Sequence, residues 1–201
     1  MHKYLIEGGF PVKGRIAACG NKNAALPCIA ATVMARAPVT LRNIPDIEDV
    51  HVMLDVLTYL GASVESVGPN AWRVDPSSLA RSDVPREEAR KVRASILFAG
   101  PLLARFGKVE LPPPGGDVIG RRRIDTHVLA LEELGARIEI DGAFRFVANK
   151  LVGADIFLDE ASVTGTENVV MAAVLAEGRT SIRNAASEPH VVPSSLPPSA
   201  S

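Results

Sequence analysis

The residues best suited to chemistry in this sequence are one acid and a few cations. Asp117 lies in Leu111-Pro-Pro-Pro-Gly-Gly-Asp117-Val-Ile-Gly120-Arg-Arg-Arg123. Three prolines stiffen the approach to it. Gly115, Gly116 and Gly120 permit backbone conformations that other residues avoid, and let backbone come close to a ligand. Arg121, Arg122 and Arg123 then open an apolar-periodic segment. The pattern suits an acid carried on a loop beside a cationic anchor at a helix start. It equally suits a surface Gly/Pro turn with solvated arginines.

The elements around that loop repeat. Helical periodicity covers Ala24–Met34, Pro45–Leu60, Arg93–Arg105 and Ile124–Leu134, and a further helix opens at Glu167. Val39–Arg42, Lys108–Leu111 and Thr180–Arg183 read as strands. Residues 62–66 with 71–75, and 137–140 with 144–147, read as hairpins. Tyr4–Gly9 and Ile16–Cys19 also read as strands. Leu41, Leu111 and Ile182 recur at spacings of 70 and 71 residues, and Leu-Gly-Ala recurs at 60–62 and 134–136. This period is longer than that of solenoid repeats. It predicts an α/β domain of internal pseudo-threefold symmetry, with either the helices or the sheets inside. The third unit breaks off after Val192 into Pro193-Ser-Ser-Leu-Pro-Pro-Ser-Ala-Ser201. That tail reads as disordered or as an artefact of how the chain was cut, and a missing half-unit would expose apolar surface.

The same spacing connects the polar residues. Asn23, Arg93 and Thr164 are separated by 70 and 71 residues, each near the start of its unit's first helix. Threefold symmetry would bring these starts to one end of the domain. Helix N-termini present unpaired N–H groups and partial positive charge, so that end suits an anion. Lys22, Arg93 and Arg122 add full charges, and Arg offers bidentate contacts to phosphate or carboxylate. Ser162-Val-Thr164-Gly-Thr166 adds hydroxyls, one of which a plain N-cap explains. His127 reads as a packing or capping residue, since no second ligand has metal spacing. Walker A, Gly-x-Gly-x-x-Gly and Gly-x-Ser-x-Gly motifs are absent.

Composition narrows the class. The apolar content is 47% and the net charge −1, as in an ordinary globular chain and unlike a nucleic-acid binder. Cys19 and Cys28 make neither a disulfide framework nor a metal spacing, which predicts a reducing compartment. No apolar run approaches the roughly 18 residues of a membrane span, and the N-terminal run is too short for a signal peptide. These features predict a cytoplasmic protein.

Several motifs are long and specific. Gly20-Asn-Lys22-Asn23-Ala-Ala-Leu-Pro27, Ile44-Pro-Asp-Ile-Glu-Asp49-Val, Val92-Arg93-Ala-Ser-Ile, Gly100-Pro-Leu-Leu-Ala-Arg-Phe-Gly, Pro114-Gly-Gly-Asp117-Val-Ile-Gly-Arg and Ala185-Ala-Ser-Glu-Pro resemble the UDP-N-acetylglucosamine 1-carboxyvinyltransferases, the enolpyruvyl transferases of peptidoglycan synthesis. The resemblance runs from about residue 4 to 192. The shikimate-pathway enolpyruvyl transferases share the fold, but Lys-Asn-Ala-Ala-Leu-Pro and Pro-Gly-Gly-x-x-Ile-Gly favour the UDP-sugar enzymes.

The resemblance implies two inside-out α/β barrels of βαβαββ units, with the active site in the cleft between them. It implies transfer of the enolpyruvyl group of phosphoenolpyruvate to the 3′-hydroxyl of UDP-N-acetylglucosamine, releasing phosphate through a tetrahedral intermediate, with no metal or organic cofactor. Lys22 and Asn23 would contact phosphoenolpyruvate, Lys22 as a catalytic residue. Arg93 and Arg122 would line the substrate cleft. Arg122, Arg123, Ile124, Asp125 and Thr126, with Glu160, Ala161, Ser162 and Val163, would bind the UDP-sugar. Asp117 falls where a loop acid protonates the methylene carbon. Family members commonly carry Cys there, and a carboxylate is not alkylated as a thiolate is, so resistance to the epoxide fosfomycin is expected.

The family chain is about twice this length. Residues 1–19 would pair with the absent second domain, 20–192 would form an incomplete first domain, and 193–201 would be the tail. The chain alone is expected to be inactive, its partner being the other half of the enzyme. The alternatives are a shikimate-pathway homologue and a non-catalytic nucleotide-sugar-binding module.

Overall fold

The computed structural model describes residues 3–115 and 124–191. Asp117, Arg122 and Arg123 lie outside the described residues. The helices are α1 (Lys22–Ala31), α2 (Glu48–Leu60), α3 (Arg86–Lys91), α4 (Ala99–Phe106), α5 (Asp125–Glu133) and α6 (Val163–Val174). The strands are β1 (Val39–Arg42), β2 (Ser63–Gly68), β3 (Ala71–Asp75), β4 (Lys108–Leu111), β5 (Arg137–Ile140), β6 (Phe144–Val147), β7 (Asp155–Phe157) and β8 (Ser181–Arg183).

The first two units share one topology. Strand order is β1-β3-β2 in one sheet and β4-β6-β5 in the next, all antiparallel. In each, the hairpin's second strand takes the centre, because the strand between the helices pairs with it. The third unit contributes a parallel β7–β8 pair with α6 as its crossover. The second unit has a trace of the same crossover, a parallel bridge from Asp83 to Glu110.

Helices are inside and sheets outside. From Ala94 on, the segment and the start of α4 carry no charged face, their one hydroxyl being Ser95, and Ala94–Leu103 is continuously buried, as a helix without a polar face must be. It is packed by α1, α6 and α3. The sheets turn one face to this core, through Val74, Val109 and Phe146, and the other to solvent. Aliphatic side chains and alanines make up nearly all of the core; Phe98 and Phe146 are its fully buried aromatics.

Several sequence readings need correction. Tyr4–Gly9 and Ile16–Cys19 form no strand; the exposed run 3–19 meets no ladder partner, and extended apolar residues alone do not make a strand. The helix expected over Arg93–Arg105 is 3₁₀ to Phe98 and α-helical only from Ala99. The third unit's helix opens at Val163, four residues before Glu167, because Ser162 caps it by accepting from the Gly165 amide. Helix α3 and strand β7 are short and carry no periodicity to announce them. In the third unit Phe157 is 70% and Val174 66% exposed.

The repeated Leu-Gly-Ala is one structural device used twice. After α2 the Gly61 amide donates to Thr58 and the Ala62 amide to Leu57; after α5 Gly135 donates to Glu132 and Ala136 to Leu131. This is the Schellman closure, which requires a left-handed residue at the glycine; φ is 107° at Gly61 and 97° at Gly135. The surroundings differ. A Cβ on Gly61 would lie 2.7 Å from the Ser78 carbonyl oxygen, whereas on Gly135 its nearest neighbour would be the Lys150 oxygen at 3.6 Å. Gly135→Ala therefore should cost only the left-handed penalty of about 1–2 kcal/mol, and Gly61→Ala more. Urea unfolding of both variants checks this; equal losses would contradict it.

Candidate functional site

The three helix starts do converge. Lys22 and Asn23 open α1, Arg93 opens the 3₁₀ segment, and Val163 and Thr164 open α6; all five line one cleft of about 600 Å³. The cleft is built where three units meet, so no single unit contains it. Asn21 starts α1 by accepting from the Asn23 amide at 2.8 Å and the Ala24 amide at 3.3 Å. Pro27, also in the wall, has no N–H to return to the Asn23 carbonyl.

Charge in the cleft is mixed but structured. Lys22, Arg90, Lys91 and Arg93 line it, with Asp49, Glu167 and Glu188. Lys22 Nζ donates to Asp49 Oδ2 at 2.8 Å. Such a partly exposed pair contributes little stability, but it holds the ammonium at the first turn of α2. Glu167 is 3% exposed and its Oε1 has no hydrogen-bond partner. Burial, then the like charge of Glu188, push its pKa up to about 7. That shift weakens one of the three negative charges that oppose the four cations of the cleft.

The hydroxyls sort cleanly. Ser162 caps α6. Thr166 Oγ1 donates to the Ser162 carbonyl at 2.8 Å and accepts from the Ala186 amide at 2.9 Å. Thr164 lines the cleft, with its Oγ1 3.2 Å from His127 Nε2. His127 itself is 1% exposed, and burial, then the charge of Arg93, lower its pKa to about 4.

The remaining site readings lie elsewhere. Ile124 is half-buried against the core, Asp125 is the exposed first residue of α5, and Thr126 is buried. Thr126 Oγ1 donates to Asp159 Oδ1 at 2.7 Å, which ties the start of α5 to the segment leading into α6. Glu160 and Ala161 are exposed there, and Ser162 is half-buried. These six residues do not line the cleft. Gly115, two residues before Asp117 in sequence, touches the cleft wall. Its amide donates to Ala89 at 2.8 Å, and a Cβ would lie 1.8 Å from the Arg90 carbonyl oxygen. Only glycine fits, because α3 and not a ligand presses on it.

Asp49, Glu188, His190 and Glu167 were missed as site residues. Asp49 looked like an ordinary acid at a helix start, while Glu188 sat inside the Ala-Ala-Ser-Glu-Pro motif. Glu167 carried no signal, since only packing reveals its burial. Both cysteines are free thiols. No helix among the described residues is long and apolar enough to cross a membrane.

Two groups beside the cleft, Glu167 and His127, act oppositely on stability. Glu167 is raised from 4.5 to about 7, so the folded state holds the extra proton and stability falls as pH rises through that window. His127 is lowered from 6.5 to about 4, so the unfolded state holds the extra proton and stability rises over its window. Between about 4.5 and 6.5 the slopes offset each other. Glu167→Gln removes one, and its melting temperature should climb with pH there while that of the parent chain stays nearly level; parallel profiles would refute the assignment.

Comparison with known proteins accords with this geometry. The family described as EPSP synthase (3-phosphoshikimate 1-carboxyvinyltransferase) matches residues 6–195. The UDP-N-acetylglucosamine 1-carboxyvinyltransferase of Treponema denticola is 64% identical over 191 residues, which is 95% of this chain and 45% of that protein. That of Treponema pallidum is 65% identical with the same coverage, and that of Bradyrhizobium diazoefficiens is 53% identical over 94% of this chain and 44% of its own. The chain thus spans a little under half the length of these curated relatives. Among solved structures, the enolpyruvyl transferase NikO of Streptomyces tendae superposes with a TM-score of 0.74 at 23% identity, over 93% of this chain and 44% of its own. EPSP synthase of Acinetobacter baumannii gives 0.71 at 18%, over 89% and 42%. These two show the fold, the inside-out α/β arrangement. The chain belongs to the EPSP synthase family of enolpyruvyl transferases, and its similar curated members are named UDP-N-acetylglucosamine 1-carboxyvinyltransferase.

Proposed function

We propose that this chain supplies one wall of the active site of a cytoplasmic enzyme that transfers the enolpyruvyl group of phosphoenolpyruvate to the 3′-hydroxyl of UDP-N-acetylglucosamine. The observation that carries the reading is the convergence of Lys22, Arg93 and three helix starts on one cleft. Both substrates are polyanions, and the reaction expels phosphate. Bringing them together raises a repulsion that fixed cations and helix dipoles offset without reorganising. Lys22 and Asn23 hold phosphoenolpyruvate, Arg93 faces phosphate or carboxylate charge, and Val163 takes part of the UDP-sugar. The stretch 122–126, with Glu160, Ala161 and Ser162, extends that sugar-nucleotide site. Asp117 delivers the proton to the methylene carbon. The second half of the enzyme closes the opposite wall and brings the base for the sugar hydroxyl.

The test is phosphate release from phosphoenolpyruvate, with the chain joined in frame to the remaining length of the Treponema denticola relative. Turnover is expected with UDP-N-acetylglucosamine and not with shikimate 3-phosphate, and the 201-residue chain alone is expected to be silent. Preference for shikimate 3-phosphate, or turnover by the chain alone, would overturn the reading. Arg93→Ala should lower kcat/KM by about ten- to a hundredfold, the loss of a charge-assisted contact. The fusion should resist fosfomycin, and Asp117→Cys should make it sensitive. Covalent labelling of Asp117 by the drug would contradict the assigned chemistry.

A further inference from the structure

Behind the cleft lies a buried hydrogen-bond chain whose polarity can be worked out atom by atom. Asn168 is fully buried. The Gly100 amide can only donate, and it meets Asn168 Oδ1 at 2.7 Å. The Ile96 carbonyl can only accept, and it meets Asn168 Nδ2 at 2.7 Å. These two contacts fix which end of the side-chain amide is oxygen. The second hydrogen on Nδ2 then faces His127 Nδ1 at 3.0 Å, so Nδ1 must be an acceptor.

A neutral imidazole with an accepting Nδ1 carries its proton on Nε2. Burial and the nearby Arg93 charge keep the ring neutral. The Nε2–H donates to Thr164 Oγ1. The Thr164 hydroxyl, receiving that bond, keeps its own hydrogen to give, and it lies in the cleft wall. We infer that Asn168 and His127 are positioning residues that orient the Thr164 hydroxyl as a hydrogen-bond donor to an oxyanion of the ligand. The inference rests on reading the cleft as an anion-binding substrate site. It adds a specific donor to the cations and helix starts, and explains why a histidine is buried neutral beside an arginine.

Two measurements on the 201-residue chain test it. Long-range proton–nitrogen correlation of the His127 ring should show a proton on Nε2 and none on Nδ1 across about pH 5–8, where an ordinary imidazole changes charge. An Nδ1–H ring or an imidazolium overturns the relay whatever the cleft binds. Inorganic phosphate is then titrated as the probe. Thr164→Val should weaken its binding by about ten- to a hundredfold, and Thr164→Ser should restore it. Equal phosphate affinity in the parent chain and Thr164→Val overturns the relay alone. Failure of the parent chain to bind phosphate, with the Nε2–H ring intact, overturns the anion-site reading and the inference with it.

Discussion

The side chain of Asn168 is the constraint on which the site depends. It belongs to the third unit's helix, α6, and it bonds the backbone of the second unit's buried segment at Ile96 and Gly100 and the ring of His127 on α5. Three elements that sequence separates by up to 72 residues are thereby locked in register. A buried amide with every partner present holds one arrangement; with any partner removed, it leaves an orphaned polar atom costing about 1–3 kcal/mol. Apolar packing brings the helices of the pseudo-threefold core together. Packing alone would tolerate small slips, and the directional bonds of Asn168 do not.

That register sets the electrostatics. The starts of α1, of the 3₁₀ segment at Arg93 and of α6 point into one cleft because the three units are stacked about a common centre. Clustering like charges there is unfavourable on its own. Asp49 offsets part of it by holding Lys22, and burial, then the charge of Glu188, raise the Glu167 pKa to about 7, so its opposing negative charge is weakened. The cleft therefore keeps a net pull on anions while its individual charges stay oriented. His127, neutral beside Arg93, adds no charge to the cleft and passes a hydrogen-bond direction outward instead.

Much of this was legible in the sequence. The 70-residue spacing correctly grouped Asn23, Arg93 and Thr164, because helix starts and Leu-Gly-Ala closures are local signals repeated at fixed distance. The repeat alone left helices inside or sheets inside open; the family likeness implied the inside-out arrangement, and the run Ala94–Leu103, which has no charged face to turn to solvent, carries the same signal. Glu167 was read only as part of a helix, because burial of one carboxyl depends on neighbours contributed by other units. Residues 4–9 and 16–19 looked like strands, but a strand is completed by its partner. The roles of Ile124 to Thr126 and of Glu160 to Ser162 came from family likeness; the geometry ties the two stretches together through Thr126 and Asp159, away from the cleft lining.

The most direct test of the account is amide chemical-shift mapping as phosphoenolpyruvate and UDP-N-acetylglucosamine are titrated together into the chain. If three units build one substrate wall, shifts will cluster at 22–23, 93–94 and 163–165 together, three stretches distant in sequence and adjoining in space. Shifts confined to one of these stretches, or gathered instead in the groove formed by Leu103–Lys108 and Val147–Leu151, would contradict it.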